Sequence, residues 1–134
     1  MTTELSNKVI KSEYWEWMPG MMNLSGYIFL GSDGYDEWSL SNWGYDSETK
    51  QNFLENNLPD LTHSGTLGCL LELVRKKYFD SNKLWNGYVE IQRDHNSIFF
   101  LRQPYHNEDG GLEWKWIATG ESEAEVLVNA LMRD

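Results

Sequence analysis

The 134-residue sequence predicts an α+β fold, an N-terminal β-hairpin extension followed by an α-β-β-β-α sandwich with an antiparallel sheet. Three observations carry that expectation. Apolar residues recur at spacings of three and four in two stretches, one near the middle of the chain and one at its end. Between those stretches lie three extended segments separated by short polar turns. Upstream, an Asp-Gly pair separates two strand-like segments, and such a pair readily supplies the positive backbone angles of a tight hairpin turn.

The elements follow in order. Residues 1–13 are polar, with a short helix expected around Glu4 to Ile10 in an otherwise loose or docked arm. In Tyr14-Trp15-Glu16-Trp17-Met18-Pro19-Gly20-Met21 the aromatic residues favour an extended backbone and Pro-Gly marks a turn. Gly26 to Leu30 and Glu37 to Leu40 flank Asp33-Gly34 as the two arms of a hairpin. From Ser41 to Asn57 no period holds, which predicts a long acidic loop. Leu67, Leu70, Leu71, Val74 and Tyr78 share one face of a helix expected over Thr66 to Tyr78, with Lys76 and Lys77 in the last turn, where a cation suits the helix dipole. Gly87 to Arg93, Ser97 to Gln103 and Glu113 to Ala118 are expected to form an antiparallel meander. Ser122 and Glu125 have the spacing of a capping box, and Ala124, Leu127, Val128 and Leu131 form the stripe of the closing helix. The whole reads as a single domain, residues 1–57 forming the arm, hairpin and acidic loop and 58–134 the core.

Twenty-one Asp and Glu against eleven Lys and Arg give a net charge of −10. That charge repels nucleic-acid phosphate and anionic membrane surfaces at long range, so neither direct nucleic-acid binding nor membrane association is expected. Acidity is concentrated between Asp33 and Asp60, where Lys50 is the single cation. The bland reading of that stretch is a solvated surface; the sharper one is a patch aimed at a basic partner. Cys69 is the only cysteine, so no internal disulfide can form, and its place in an apolar helix predicts a small buried side chain. The N-terminal residues lack the pattern of an export signal, and no stretch is apolar enough to span a bilayer. A bacterial cytoplasmic location is the expectation.

Residue types that carry chemistry are scattered. His63, His95 and His106 are widely spaced, which argues against zinc. Gly31-Ser32-Asp33-Gly34 lacks the Lys and the helix of a phosphate loop and reads as a turn. Cys69 in an apolar helix would have its thiolate desolvated. Asp36-Glu37 and Glu108-Asp109 have the composition of a hydrolase acid/base pair, but with so many carboxylates such neighbours arise by chance. No cofactor is expected. The anomaly is aromatic, with seven Trp and seven Tyr. Trp85, Tyr88, Trp114 and Trp116 are expected to pack the sheet against a helix. Trp15, Trp17, Trp38 and Trp43 fall among polar residues, where a second small core, a dimer face and a partner-binding patch are all open.

Leu58-Pro59-Asp60-Leu61, followed by Gly65-Thr66-Leu67-Gly68-Cys69-Leu70-Leu71-Glu72-Leu73-Val74-Arg75, resembles the "LPDL, then ATLGCLLALVR" signature of a family of small uncharacterised proteins of tailed phages and prophages. Thr119 to Leu131 is similar to the closing "GETEAEALVAAL" helix of that family, and Trp15-Glu16-Trp17-Met18-Pro19-Gly20-Met21 is similar to the "W-x-W-x-PGM" opening of some members. The element order also resembles the phage ABA sandwich domain. The likeness covers about residues 58–134 and, more weakly, 14–21; His63-Ser64-Gly65 departs from the usual Asp-Pro-Ala at the helix start. The recurring residues are apolar or capping, so the resemblance implies a fold and a phage source and carries over no catalytic role.

Together these readings lead to the expectation of a small, non-enzymatic, phage-encoded accessory protein that binds another protein, a basic host protein being the natural target. Inhibition of a host defence factor through an acidic surface is one concrete form. The expected contact residues are Asp33, Asp36, Glu37, Trp38, Trp43, Asp46 and Glu48. Two other classes compete: a structural or assembly protein that forms a homo-oligomer or docks on a virion component, and a sugar- or nucleotide-binding module or hydrolase.

Overall fold

The computed structural model describes residues 2–32, 37–41, 45–79 and 88–133. Its elements are α1 (Thr2–Val9), β1 (Ile28–Ser32), β2 (Glu37–Ser41), β3 (Tyr45–Thr49), α2 (Lys50–Asn56), α3 (Ser64–Lys77), β4 (Glu90–Arg93), β5 (Phe99–His106), β6 (Leu112–Gly120) and α4 (Glu123–Met132). Two antiparallel sheets, ordered β1-β2-β3 and β4-β5-β6, make this an α+β protein with an N-terminal hairpin ahead of an α-β-β-β-α succession. The residues group into two compact units, one comprising residues 1–11 and 15–69, the other 12–14 and 70–134. The division falls inside α3, whereas the change in sequence character falls at residue 58.

In the first unit the predicted hairpin forms: Phe29 pairs with Leu40 and Ser32 with Trp38. The turn residues 33–36 lie outside the described residues. Gly31 pairs with Ser39, so Leu30 is one residue too many in β1, a bulge. Gly31 there has φ +128°, a conformation open to glycine at little cost. Residues 41–57 correct the expectation of a long loop. Residues 45–49 are β3, paired with β2 from Ser41↔Tyr45 to Glu37↔Thr49. Thr49 then ends the strand and caps α2, its hydroxyl accepting from the backbone N–H of Asn52 at 3.2 Å. The period was invisible because β3 reads Tyr-Asp-Ser-Glu-Thr and α2 buries only Phe53.

Backbone bonds tie the segment around residue 23 to that around residue 59. Leu24 N–H donates to the carbonyl of Leu58, and Asp60 N–H to that of Met22, at 3.0 and 2.7 Å. The buried Asn23 organises this junction: its Oδ1 accepts from the N–H groups of Ser25 and Tyr27 while its Nδ2 donates to Asn57 Oδ1 at 2.7 Å. The start of α3 is built by His63, whose Nδ1 accepts from Thr66 N–H at 3.1 Å, and the helix begins two residues earlier than the apolar period suggests. Thr66 Oγ1 in turn accepts from Met22 N–H.

The buried stripe of α3 is Thr66, Leu70, Leu73 and Val74. Leu73 takes the place expected of Leu71, which is half-buried, and Cys69 lies on the flank of the stripe, half-buried too, with its thiol 3.8 Å from the carbonyl of Pro19. The expectation of a small buried side chain is corrected accordingly.

In the second unit α4 packs on β5 and β6 and buries Val126, Leu127, Val128, Ala130 and Leu131 over Leu101 and Ile117. Ser122 caps it as predicted, accepting from Glu125 N–H at 3.1 Å. Its last turn contains no basic residue. The missing cation comes from α3: Lys77 Nζ donates to the carbonyls of Ala130 and Leu131 at 2.9 and 3.0 Å, and also to that of Arg133. The Tyr78 hydroxyl adds a bond to Ala130, and burial, the largest influence on it, holds its phenol above the ordinary value. Carbonyls at a helix C-terminus otherwise lack intrahelical donors. Lys77→Met should therefore lower stability by about 1–2 kcal/mol in urea titrations, with Lys77→Arg closer to the parent.

The meander forms, with β5 and β6 longer than expected and β4 shorter, and one detail overturns the predicted role of two tryptophans. Arg102 pairs with Trp116 but the preceding Leu101 pairs with Ala118, which leaves Ile117 as an extra residue in β6. A single inserted residue shifts the alternation of faces. Ile117 turns inward and is buried, while Trp116 is 59% exposed and stacks flat on Phe100 at 4.3 Å. Trp114, on the same face, receives the Arg102 guanidinium at 4.0 Å from its ring centroid. Tyr88 is also exposed, and Trp85 lies outside the described residues. Pro104 fits in β5 because the described pairing with β4 ends at Arg102, so no bond to that strand is forfeited.

Candidate functional site: an aromatic cleft

The first unit contains a cleft of about 720 Å³, within the usual range for ligand sites. Three stretches distant in sequence build its walls. Residues 15–19 contribute Trp15, Trp17 and Pro19, the hairpin contributes Phe29 and Trp38, and α2 contributes Lys50 and Leu54. The turn at Pro19-Gly20 closes back on β1 through Gly20 N–H to the Phe29 carbonyl at 2.9 Å and Phe29 N–H to the Met21 carbonyl at 2.8 Å. These bonds set the 15–19 segment against the hairpin.

Beneath the cleft lies an aromatic cluster centred on the fully buried Phe53. Its ring centroid is 5.0 Å from that of Trp17, 5.2 Å from Phe29 and 5.1 Å from Trp38. Trp17 also meets Trp15 edge-on at 5.7 Å. Such edge-to-face and tilted contacts are the favoured arrangements of aromatic rings, and they fix the indoles that line the opening. The indole N–H of Trp15 is buried and meets no acceptor among the described residues. Two charged side chains complete the lining, Glu16 and Lys50. The Lys50 ammonium sits over the Trp38 ring, 5.8 Å from its centroid.

Of the residues expected to contact a partner, Trp38 is brought to this cleft. Half-buried, it packs on Phe29 and Phe53 as well as lining the opening, so it belongs to the small core and to the surface at once. Glu37 is exposed on β2. Asp46 and Glu48 belong to β3, in register with Leu40 and Trp38, rather than to a loop. Asp33, Asp36 and Trp43 lie outside the described residues. Sequence reasoning grouped Trp15, Trp17 and Trp38 by their polar surroundings but missed Phe29, Pro19 and Leu54. Lys50 stood out only as the lone cation of its stretch.

The second unit carries a charged network on the strand face that bears Trp114. Arg102 Nε donates to Glu90 Oε1 at 2.7 Å, and Tyr88 Oη and Gln92 Nε2 donate to the same carboxylate. The Arg102 guanidinium, ahead of the other contacts, holds the Glu90 carboxyl below the ordinary carboxylate range. These groups satisfy one another. Among the described residues no three of His, Cys, Asp and Glu converge as metal ligands, and no helix is long and apolar enough to cross a membrane.

The fold and cleft define an acidic α+β protein with an aromatic recess in its N-terminal unit. No protein-family model, curated protein or solved structure matches the chain.

Proposed function

We propose that this chain is a small, non-enzymatic accessory protein, phage-encoded and active in the bacterial cytoplasm, that works by docking on another protein through the aromatic cleft. The observation that carries this reading is the cleft itself, where rigidly held indoles offer the large, low-entropy contact area typical of binding hot spots. The net charge of −10 favours a basic partner, steering it at long range and adding specificity. A host defence factor is one partner of that kind. The phage source rests on the sequence resemblance described above.

The test is capture of partners from infected cells with the intact protein. Trp38→Ala should abolish capture of the specific partner, and the combined change Asp33→Asn, Asp36→Asn and Glu37→Gln should weaken it and flatten its salt dependence. Capture that survives Trp38→Ala, or that ignores both salt and the amide substitutions, overturns the reading. A second reading, assembly into a homo-oligomer, is favoured by the exposed Trp116. Sedimentation at several concentrations separates the two: a stable oligomer lost on Trp116→Ser supports assembly.

A further inference from the structure

We infer that the cleft receives a cationic side chain of the partner, an arginine or a lysine, on the Trp38 face that Lys50 now covers. The inference rests on the docking reading above and names the chemistry of the contact. Its first support is the position of Lys50, a cation of the chain itself held over the Trp38 ring. The negative face of an indole attracts an ammonium or guanidinium, and the attraction strengthens as water is excluded.

The second support is the rest of the lining. Trp15 and Trp38, both half-buried, supply rings at the opening, backed by the buried Trp17 and Phe29, and Glu16 supplies a carboxylate beside them. Aromatic walls with one acidic group are the composition that recognises organic cations, and a planar guanidinium also stacks on indole. A phosphate-bearing ligand would meet Glu16 and the repulsion of a chain with net charge −10.

The third support is the place of Lys50 in its own helix. It is the first residue of α2, whose first turn has no acidic residue. A cation there opposes the helix dipole. Lys50 is best understood as a tethered occupant that a partner's cation displaces. Its length also gives it room to swing out, since it is exposed to solvent.

The probe is a short blocked peptide, acetyl-Gly-Arg-Gly-amide, compared with the same peptide carrying citrulline, which keeps the shape of arginine and removes its charge. Binding to the full chain is read from tryptophan fluorescence. The arginine peptide should bind at least about 3-fold more tightly than the citrulline peptide, the ratio that corresponds to a cation–π contact of modest strength. Lys50→Gln should tighten the arginine peptide by about 2- to 5-fold by vacating the Trp38 face, while Glu16→Gln and Trp38→Leu should weaken it. Lys50→Gln removes a charge that opposes the dipole of α2, so its circular dichroism should match the parent.

Equal binding of the arginine and citrulline peptides, or weaker binding by Lys50→Gln, overturns the inference. If that happens while Trp38→Ala still abolishes partner capture, the cleft remains the docking site and only its preference for a cation is wrong. If Trp38→Ala leaves capture intact, the docking reading itself has failed.

Discussion

Phe53→Ala should destabilise the N-terminal unit by about 3–5 kcal/mol, the range for deleting a buried aromatic ring. Phe53 is fully buried, and among the described residues it is the one whose ring lies within about 5 Å of three others, Trp17, Phe29 and Trp38. Removing it takes away its own burial and leaves three rings facing a void they cannot fill without giving up their mutual geometry. It also releases α2, in which Phe53 is the buried anchor. Such a loss is a large share of the stability of a small protein. Chemical denaturation followed by tryptophan fluorescence should show it, together with a fall in the near-ultraviolet circular dichroism of the indoles. Phe53→Leu, which keeps most of the volume, should recover much of the loss. A penalty below about 1 kcal/mol for the alanine variant would mean that the cluster is not the core of this unit.

Gly120→Ala should destabilise the C-terminal unit by about 1–3 kcal/mol, through crowding instead of cavity formation. Gly120 is buried at the end of β6, two residues before the cap of α4. A methyl group built there would lie 2.8 Å from the backbone nitrogen of Val126 and 3.0 Å from Cβ of Glu125. Backbone cannot swing away as a flexible side chain can, so the first turn of α4 would have to move off the sheet. That turn contains the bond from Val126 N–H to the Ser122 carbonyl at 3.0 Å and precedes the buried run from Val126 to Val128. Denaturant titration should locate the loss, and Gly120→Ser should behave like the alanine variant. An unchanged midpoint for Gly120→Ala would show that the sheet end and helix start are looser than their packing indicates.

The parts of the fold legible in the sequence are those where local pattern and tertiary packing agree. Leu70, Val74, Leu127, Val128 and Leu131 were expected on the buried faces of their helices and are buried, because apolar spacing of three and four survives any choice of neighbour. Ser122 was recognisable as a cap because the cap bond lies within one turn. Residues 45–56 were not legible: β3 is held by its register with β2, and α2 by one aromatic side chain, and neither leaves a period. Trp116, expected to pack inward, faces outward and the neighbouring Ile117 inward for a related reason. Their alternation is plain in the sequence, but one extra residue opposite β5 reverses it, and a strand's partner spacing is not written in its own residues.

The candidate site divides in the same way. Its tryptophans attracted notice because indoles among polar residues are costly to leave in water. Their meeting with Phe29, Pro19, Lys50 and Leu54 depended on the return of the 15–19 segment onto β1 and on the short connection from β3 into α2. By itself the sequence determined the fold class, the closing helix with its cap, the antiparallel C-terminal strands and the acidic character of the chain, since each depends on residue type and on neighbours a few positions away. The tertiary structure alone decided which tryptophans face water, that Lys77 completes the C-terminus of α4, and that three separated stretches enclose one aromatic cleft. Those outcomes depend on which surfaces of the folded chain meet, and the free energy of such meetings belongs to pairs of residues that no local pattern couples.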